Sequence, residues 1–275
     1  MTLTSEQSPA PPLMPKLQKR RRRFGGLRTV VALMLREMAT TNSRSAGGYI
    51  WAILEPVAGI LLLTAIFSAA FRTPPLGVNF PIFYATGLVP FTLYVSISSK
   101  MAASLQFSKA LLAYPTVTFF DALAARFLVN LITQIMAAYL IFTFILVIYD
   151  TRTILDLLRI IEAFVMAGVL AAGIGMMNCY LFSVFPLWQQ FWSIINRPLF
   201  IISCIFFTFE TVPQPYRDYL WYNPLVHVIG MSRSGFYSTY EATYVSRLYI
   251  YGLGFGLMLL GLLFLRRFYR DLIDR

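Results

Sequence analysis

The sequence predicts an all-α polytopic membrane protein. It has six transmembrane helices, an N-terminal amphipathic helix, and short re-entrant or interfacial helices before the last span. Three observations lead there. Of 275 residues, 58% are hydrophobic and 13% charged, with a mean hydropathy of +0.66; a soluble domain usually carries about 25% charge. Six apolar segments come close to or exceed the ~20 residues of a helical crossing. Basic residues are unevenly divided between the segments that flank them.

Residues 1–23 hold Pro9, Pro11, Pro12 and Pro15, then Lys16, Lys19 and Arg20 to Arg23. They read as a disordered basic arm. A secretory signal fits poorly, because the apolar stretch that follows is a full crossing and lacks a small-residue exit. Over 24–48, Phe24, Leu27, Val31, Met34 or Leu35, and Met38 recur at three- and four-residue steps, with Arg28, Arg36 and Glu37 elsewhere on the wheel. That pattern predicts an amphipathic helix along the membrane surface; the competing reading packs it on a partner. Ser45-Ala46-Gly47-Gly48 ends it.

The apolar segments are 50–71, 80–100, 118–149, 160–185, 191–209 and 248–265. The third, at about 48 Å if wholly helical, exceeds a bilayer core, so its first turns, with Asp121, Arg126 and Asn130, project into the headgroup region or line a protein interior. An even number of crossings puts both termini on one side. If that side is the cytoplasm, 15 Lys and Arg fall inside and 6 outside, as the positive-inside rule requires. Between the second and third spans, Ser104 to Pro115 reads as a short cytoplasmic amphipathic helix stopped by proline. The stretch 210–247 has Leu225–Met231 at its centre, too short to span, among Trp221, Tyr222, Phe236, Tyr237, Tyr240 and Tyr244. It predicts re-entrant or interfacial helices with aromatic residues at headgroup level; the alternative is an aqueous loop.

Several chemistries are absent. No G-x-x-x-x-G-K-[ST] run is present, so ATP is not hydrolysed by a P-loop in this chain. Cys179 and Cys204 lie in apolar runs and read as small buried hydrophobes. The single histidine, His227, cannot build a metal site alone. Gly230-Met-Ser232-Arg-Ser234 lacks the closing glycine of a nucleophile elbow.

Two runs resemble a known family. Leu33-Met34-Leu35-Arg36-Glu37, followed by Gly47-Gly48-Tyr49-Ile50-Trp51-Ala52-Ile53-Leu54-Glu55-Pro56, is similar to the opening of ABC-2 type permeases that export polysaccharides. Tyr222-Asn223-Pro224-Leu225, with His227 and Ser232-Arg233, resembles the segment before the last span in the capsular-polysaccharide (KpsM-like) branch. The resemblance runs from about residue 24 to 275. One departure is Thr40-Thr41-Asn42-Ser43, where members often carry a more basic stretch.

The resemblance implies a 24–48 interface helix and a six-span domain over 49–275. It implies a homodimer bound to two separate ATPase subunits that hold ATP and Mg, with no cofactor in this chain. The cargo would be a lipid-linked acidic glycan, the location the bacterial inner membrane, and the further partners periplasmic and outer-membrane export proteins; nucleic acid is not among them. By the same analogy 104–115 is the coupling helix, contacting the ATPase through Ser108, Lys109, Leu111, Leu112, Tyr114 and Pro115, and 213–240 is the re-entrant region. A glycan path needs flat aromatic faces and cations at its entry. Arg36, Arg44 and Lys100 are the candidate cations, and Trp51, Phe91, Tyr94, Phe206 and Phe209 the candidate aromatics. Glu55, next to Pro56, reads as a structural charge that meets Arg36 or Arg44.

Two lesser expectations concern packing. Arg159 and Glu162 are spaced for a weak exposed pair. Ala167, Ala171 and Gly175, and Gly252 and Gly256, mark close helix contacts. The competing functions are an ABC-2 permease for O-antigen, teichoic acid or a small hydrophobic cargo and, further off, a membrane enzyme or ATP-independent transporter.

Overall fold

A computed structural model describes residues 25–43, 48–112, 117–151 and 153–274. The expected basic arm at 1–23, Arg44, Tyr114 and Pro115 lie outside them. The described residues form helices and no strand: α1 (Gly25–Ser43), α2 (Gly48–Ala70), α3 (Phe80–Ala102), α4 (Ser104–Leu112), α5 (Phe119–Ile148), α6 (Leu157–Val184), α7 (Pro186–Ile202), α8 (Tyr216–Trp221), α9 (Pro224–Phe236) and α10 (Arg247–Asp274). One turn of 3-10 helix, Phe209–Thr211, precedes α8.

Among the described residues, five helices are long and apolar enough to cross a membrane: Ile50–Ala70, Phe80–Ala102, Phe119–Ile148, Leu157–Val184 and Arg247–Phe268. The fifth expected segment, 191–209, is not among them. Its helix, α7, starts earlier and stops at Ile202, and carries Arg197 and Pro198. Beyond it the backbone turns, with Cys204 at a left-handed φ of 61°, a conformation that ends a helix at once.

α3 and α6 form the centre, and Phe80 to Phe91 are all buried. Small residues let their backbones approach. A side chain at Gly175 would meet the Ser98 backbone, and one at Gly173 would strike the carbonyl of Gly254 on α10. Ala167 and Ala171 are buried in the same seam. The Gly252-x-x-x-Gly256 expectation is corrected: neither glycine has an atom within 4 Å of where its Cβ would be. Gly254 and Gly261 make the contact, because they point toward α6. Leu61, Leu62, Ile132, Phe144, Val147 and Leu259 are exposed on the outer helices, which suits a hydrocarbon solvent.

Caps fix where the long helices start. Thr118 and Asp121 form a capping box at α5, satisfying backbone donors that no earlier turn can. Asp156 caps α6, accepting from the N–H groups of Leu158 and Arg159. It also pairs with Arg159 at 3.2 Å, while Glu162 pairs with Arg247 at 2.8 Å. The expected Arg159–Glu162 pair is therefore absent. The cap carboxylate takes Arg159, and the start of α10 brings a second arginine to Glu162.

The stretch after α7 forms a cap of short helices. α9 is buried from Leu225 through Phe236. The irregular backbone before it is held by Arg233, which is 1% exposed. Arg233 donates to the carbonyls of Phe207 (2.8 Å) and Ile205 (3.0 Å) and lies 4.3 Å from the centre of the Phe83 ring. Buried carbonyls outside a regular helix need such donors. His227 bridges the other side. Its Nδ1 accepts from the Ser246 N–H at 3.1 Å, which leaves Nε2–H to donate to the Trp221 carbonyl at 2.7 Å. That pattern needs the neutral ring, and burial also lowers the affinity of His227 for a proton.

Candidate functional site

A cavity of about 420 Å³ opens between α2, α3, α5 and α7. α3 supplies a polar stripe in an otherwise apolar span: Thr92, Ser96, Ser99 and Lys100 follow one another at helical steps on one face. α2 adds Glu55, beside Pro56 and Gly59, and α5 adds Gln134. Phe91 and Phe200 give it flat apolar walls. Hydroxyl and amide groups beside aromatic faces, with one cation and one carboxylate at hand, can hold a polar, polyhydroxylated chain without binding it tightly.

An aromatic series leads away from the cavity. Phe91 meets Phe200 edge-on at 5.4 Å, Phe200 meets Phe206 at 5.2 Å, and Phe206 stacks on Phe67 at 5.9 Å. Phe67 then reaches Phe71 at 6.0 Å, at the end of α2. Rings from α2, α3, α7 and the turn after α7 thus connect the cavity to the far end of the second helix.

Of the residues expected on the path, Phe91, Lys100 and the nearby Phe206 come together. Tyr94 is 1% exposed and sits in the α3 core, and Phe209 is buried against Tyr244 at 4.0 Å; neither lines this cavity. Trp51 is exposed on the first turn of α2. Arg36 is exposed on α1, 5.8 Å from the Phe107 ring centre. Sequence reasoning missed Phe200, Phe67, Gln134 and the stripe of Thr92, Ser96 and Ser99 that leads to Lys100. The stripe was legible as polar residues at four- and three-residue steps; the rest depend on which helices become neighbours.

Glu55 faces the cavity, and Arg36, one of its two expected partners, is turned to Phe107; Arg44, the other, lies outside the described residues. The buried ion pair that ties α1 to a span joins Glu37 to Arg126 on α5 at 2.9 Å. On α4, Ser108 is buried against the helices and Lys109 is exposed; Leu111 and Leu112 form its last turn.

The family model for the ABC-2 type transporter matches residues 28–237. The chain belongs to this family. The polysialic acid transport protein KpsM of Escherichia coli is 32% identical to it over 81% of this chain and 86% of that protein. The capsule polysaccharide export inner-membrane protein CtrC of Neisseria meningitidis serogroup A is 25% identical over 88% and 91%, and BexB of Haemophilus influenzae, of the same description, is 24% identical over 88% and 91%. The ABC-2 match runs from within α1 to just past α9, and so takes in the cavity and most of the cap. It makes the chain a multi-pass transporter subunit.

Proposed function

We propose that this chain is the permease subunit of an ABC exporter that carries a lipid-linked, acidic capsular polysaccharide across the bacterial inner membrane. A separate ATPase supplies the energy. The observation that carries the reading is the similarity to the E. coli polysialic acid transporter over four-fifths of the chain. The polar cavity and its aromatic series support it, since weak repeated stacking lets a glycan slide.

In this reading α7, about 25 Å long, completes a sixth crossing and both termini are cytoplasmic. α1 lies on the membrane surface, with Leu27, Val31, Leu35 and Met38 as its exposed apolar stripe. α4 is the coupling helix that an ATPase dimer displaces, with Ser108, Lys109, Leu111, Leu112, Tyr114 and Pro115 in or beside the contact. α7 buries none of its side chains fully, which supports a second copy of the chain closing the path beside it. Arg36, Arg44 and Lys100 receive the anionic head at the entry. Periplasmic and outer-membrane proteins take the polymer onward. The chain performs no covalent chemistry, and ATP and Mg reside in the partner.

Deleting the gene in its native host tests this. The expected result is loss of surface capsule with glycan retained inside the cell, restored by the wild-type gene. An intact surface capsule overturns the reading.

A further inference from the structure

Arg126 is the side chain at which three parts of the molecule meet. It lies on α5, 8% exposed. Its Nε donates to Glu37 Oε1 on α1 at 2.9 Å, and its Nη1 donates to the carbonyl of Ala103 at 3.1 Å. Ala103 is the single residue between α3 and α4. The guanidinium also lies 4.2 Å from the centre of the Phe107 ring on α4. The flat, forked group makes all three contacts at once, which an ammonium on a flexible stem cannot do.

These contacts have a mechanical meaning. α4 follows α3 after one residue, so any push on α4 turns the chain at Ala103. Arg126 holds that carbonyl and the Phe107 ring, and through Glu37 it holds α1. Because the pair is mostly withdrawn from water, separating its charges is costly, and they move together.

We propose that Arg126 is the positioning residue that makes α1, α4 and the start of α5 one moving body, so that a displacement of α4 becomes a displacement of the spans. This rests on the reading of α4 as the coupling helix. Without Arg126, α4 can yield to the ATPase while the spans stay behind.

The test uses the complete complex of permease and ATPase in proteoliposomes. It reads glycan moved per ATP hydrolysed, alongside the amount of ATPase that co-purifies. Arg126→Gln is expected to keep ATPase association and hydrolysis while glycan per ATP falls at least tenfold. Phe107→Leu, which spares the ion pair and the fold, is expected to lower the same ratio about threefold. Exchanging the charges (Glu37→Arg with Arg126→Glu) is expected to recover part of it, and Arg126→Lys to be intermediate. A wild-type ratio in both Arg126→Gln and Phe107→Leu overturns the proposal. So does a proportional loss of association, hydrolysis and transport in both, since that marks a purely structural role. A wild-type complex that moves no glycan on ATP overturns the functional reading together with this one.

Discussion

Arg126 and Arg233 are both buried guanidiniums, yet they are satisfied in different ways. Arg126 has a carboxylate, one carbonyl and a ring. Arg233 has two carbonyls and a ring, and among the described residues no carboxylate pairs with it. An ion pair tolerates changes in angle and re-forms after a shift. A fork onto two carbonyls of irregular backbone does not, because each acceptor has a fixed direction. The α1–α4–α5 corner is therefore bound in a way that survives movement, and the cap over 203–246 in a way that resists it. The cap adds further directed contacts: Trp221 Nε1 donates to the Tyr244 carbonyl, and the Tyr240 hydroxyl donates to the Glu210 carboxylate.

The largest effect is expected at the cap. Arg233→Met fills the volume but orphans the carbonyls of Ile205 and Phe207, at about 1–3 kcal/mol each. Thermal unfolding in lipid nanodiscs should show a strongly lowered midpoint, with little protein in the membrane fraction. A near-normal midpoint would erase the contrast between the two arginines. The corner should suffer less. Glu37→Ala leaves Arg126 its carbonyl and its ring, so the loss is expected at about 2–3 kcal/mol, below the full penalty of an isolated buried charge. The cap should keep its hydrogen-exchange protection in that variant.

The smallest effect is a pH response confined to the cap. His227 is held neutral by burial and by accepting from the Ser246 N–H. Its folded-state pKa lies below the ordinary 6.5. Its contribution is complete above pH 6.5, where the free ring is neutral too, and declines as the pH falls below that value. Hydrogen exchange near Trp221 and Ser246 should therefore quicken between pH 6.5 and 5, while exchange around Arg126 stays constant. His227→Gln should remove the response. Equal quickening at both ends would mean that the two regions open together.

Much of this was open to sequence reading, for physical reasons. A crossing declares itself by length and hydropathy, so α2, α3, α5, α6 and α10 each overlap an expected segment, α10 running well past its own. Segment 191–209 was harder, since apolar content continues through Ile205 and Phe206 while the helix ends at Ile202; a left-handed Cys204 leaves no compositional mark. The buried ion pair was out of reach for a different reason. Proximity in sequence pointed to Glu55 with Arg36 or Arg44, whereas the pair that forms, Glu37 with Arg126, joins residues 89 apart. The Gly252-x-x-x-Gly256 spacing marked the wrong face of α10: Gly254, which meets α6, lies about 200° round the helix from Gly252. The Ser104–Leu112 helix was legible because a proline follows it closely.

α5 has one more property. Its 30 residues make a rod of about 45 Å, and Arg126 grips it eight residues from the beginning. The remaining 22 residues extend about 33 Å to Ile148. There Phe142 stacks on Phe236 of the cap at 4.4 Å, and the Asn79 side chain donates to the Asp150 carbonyl at 2.7 Å. A tilt of about 5° at the gripped end would sweep the distant end by about 3 Å. The length that exceeds a bilayer core thus gives the helix leverage, so that any small tilt at the gripped end would be magnified at the far one.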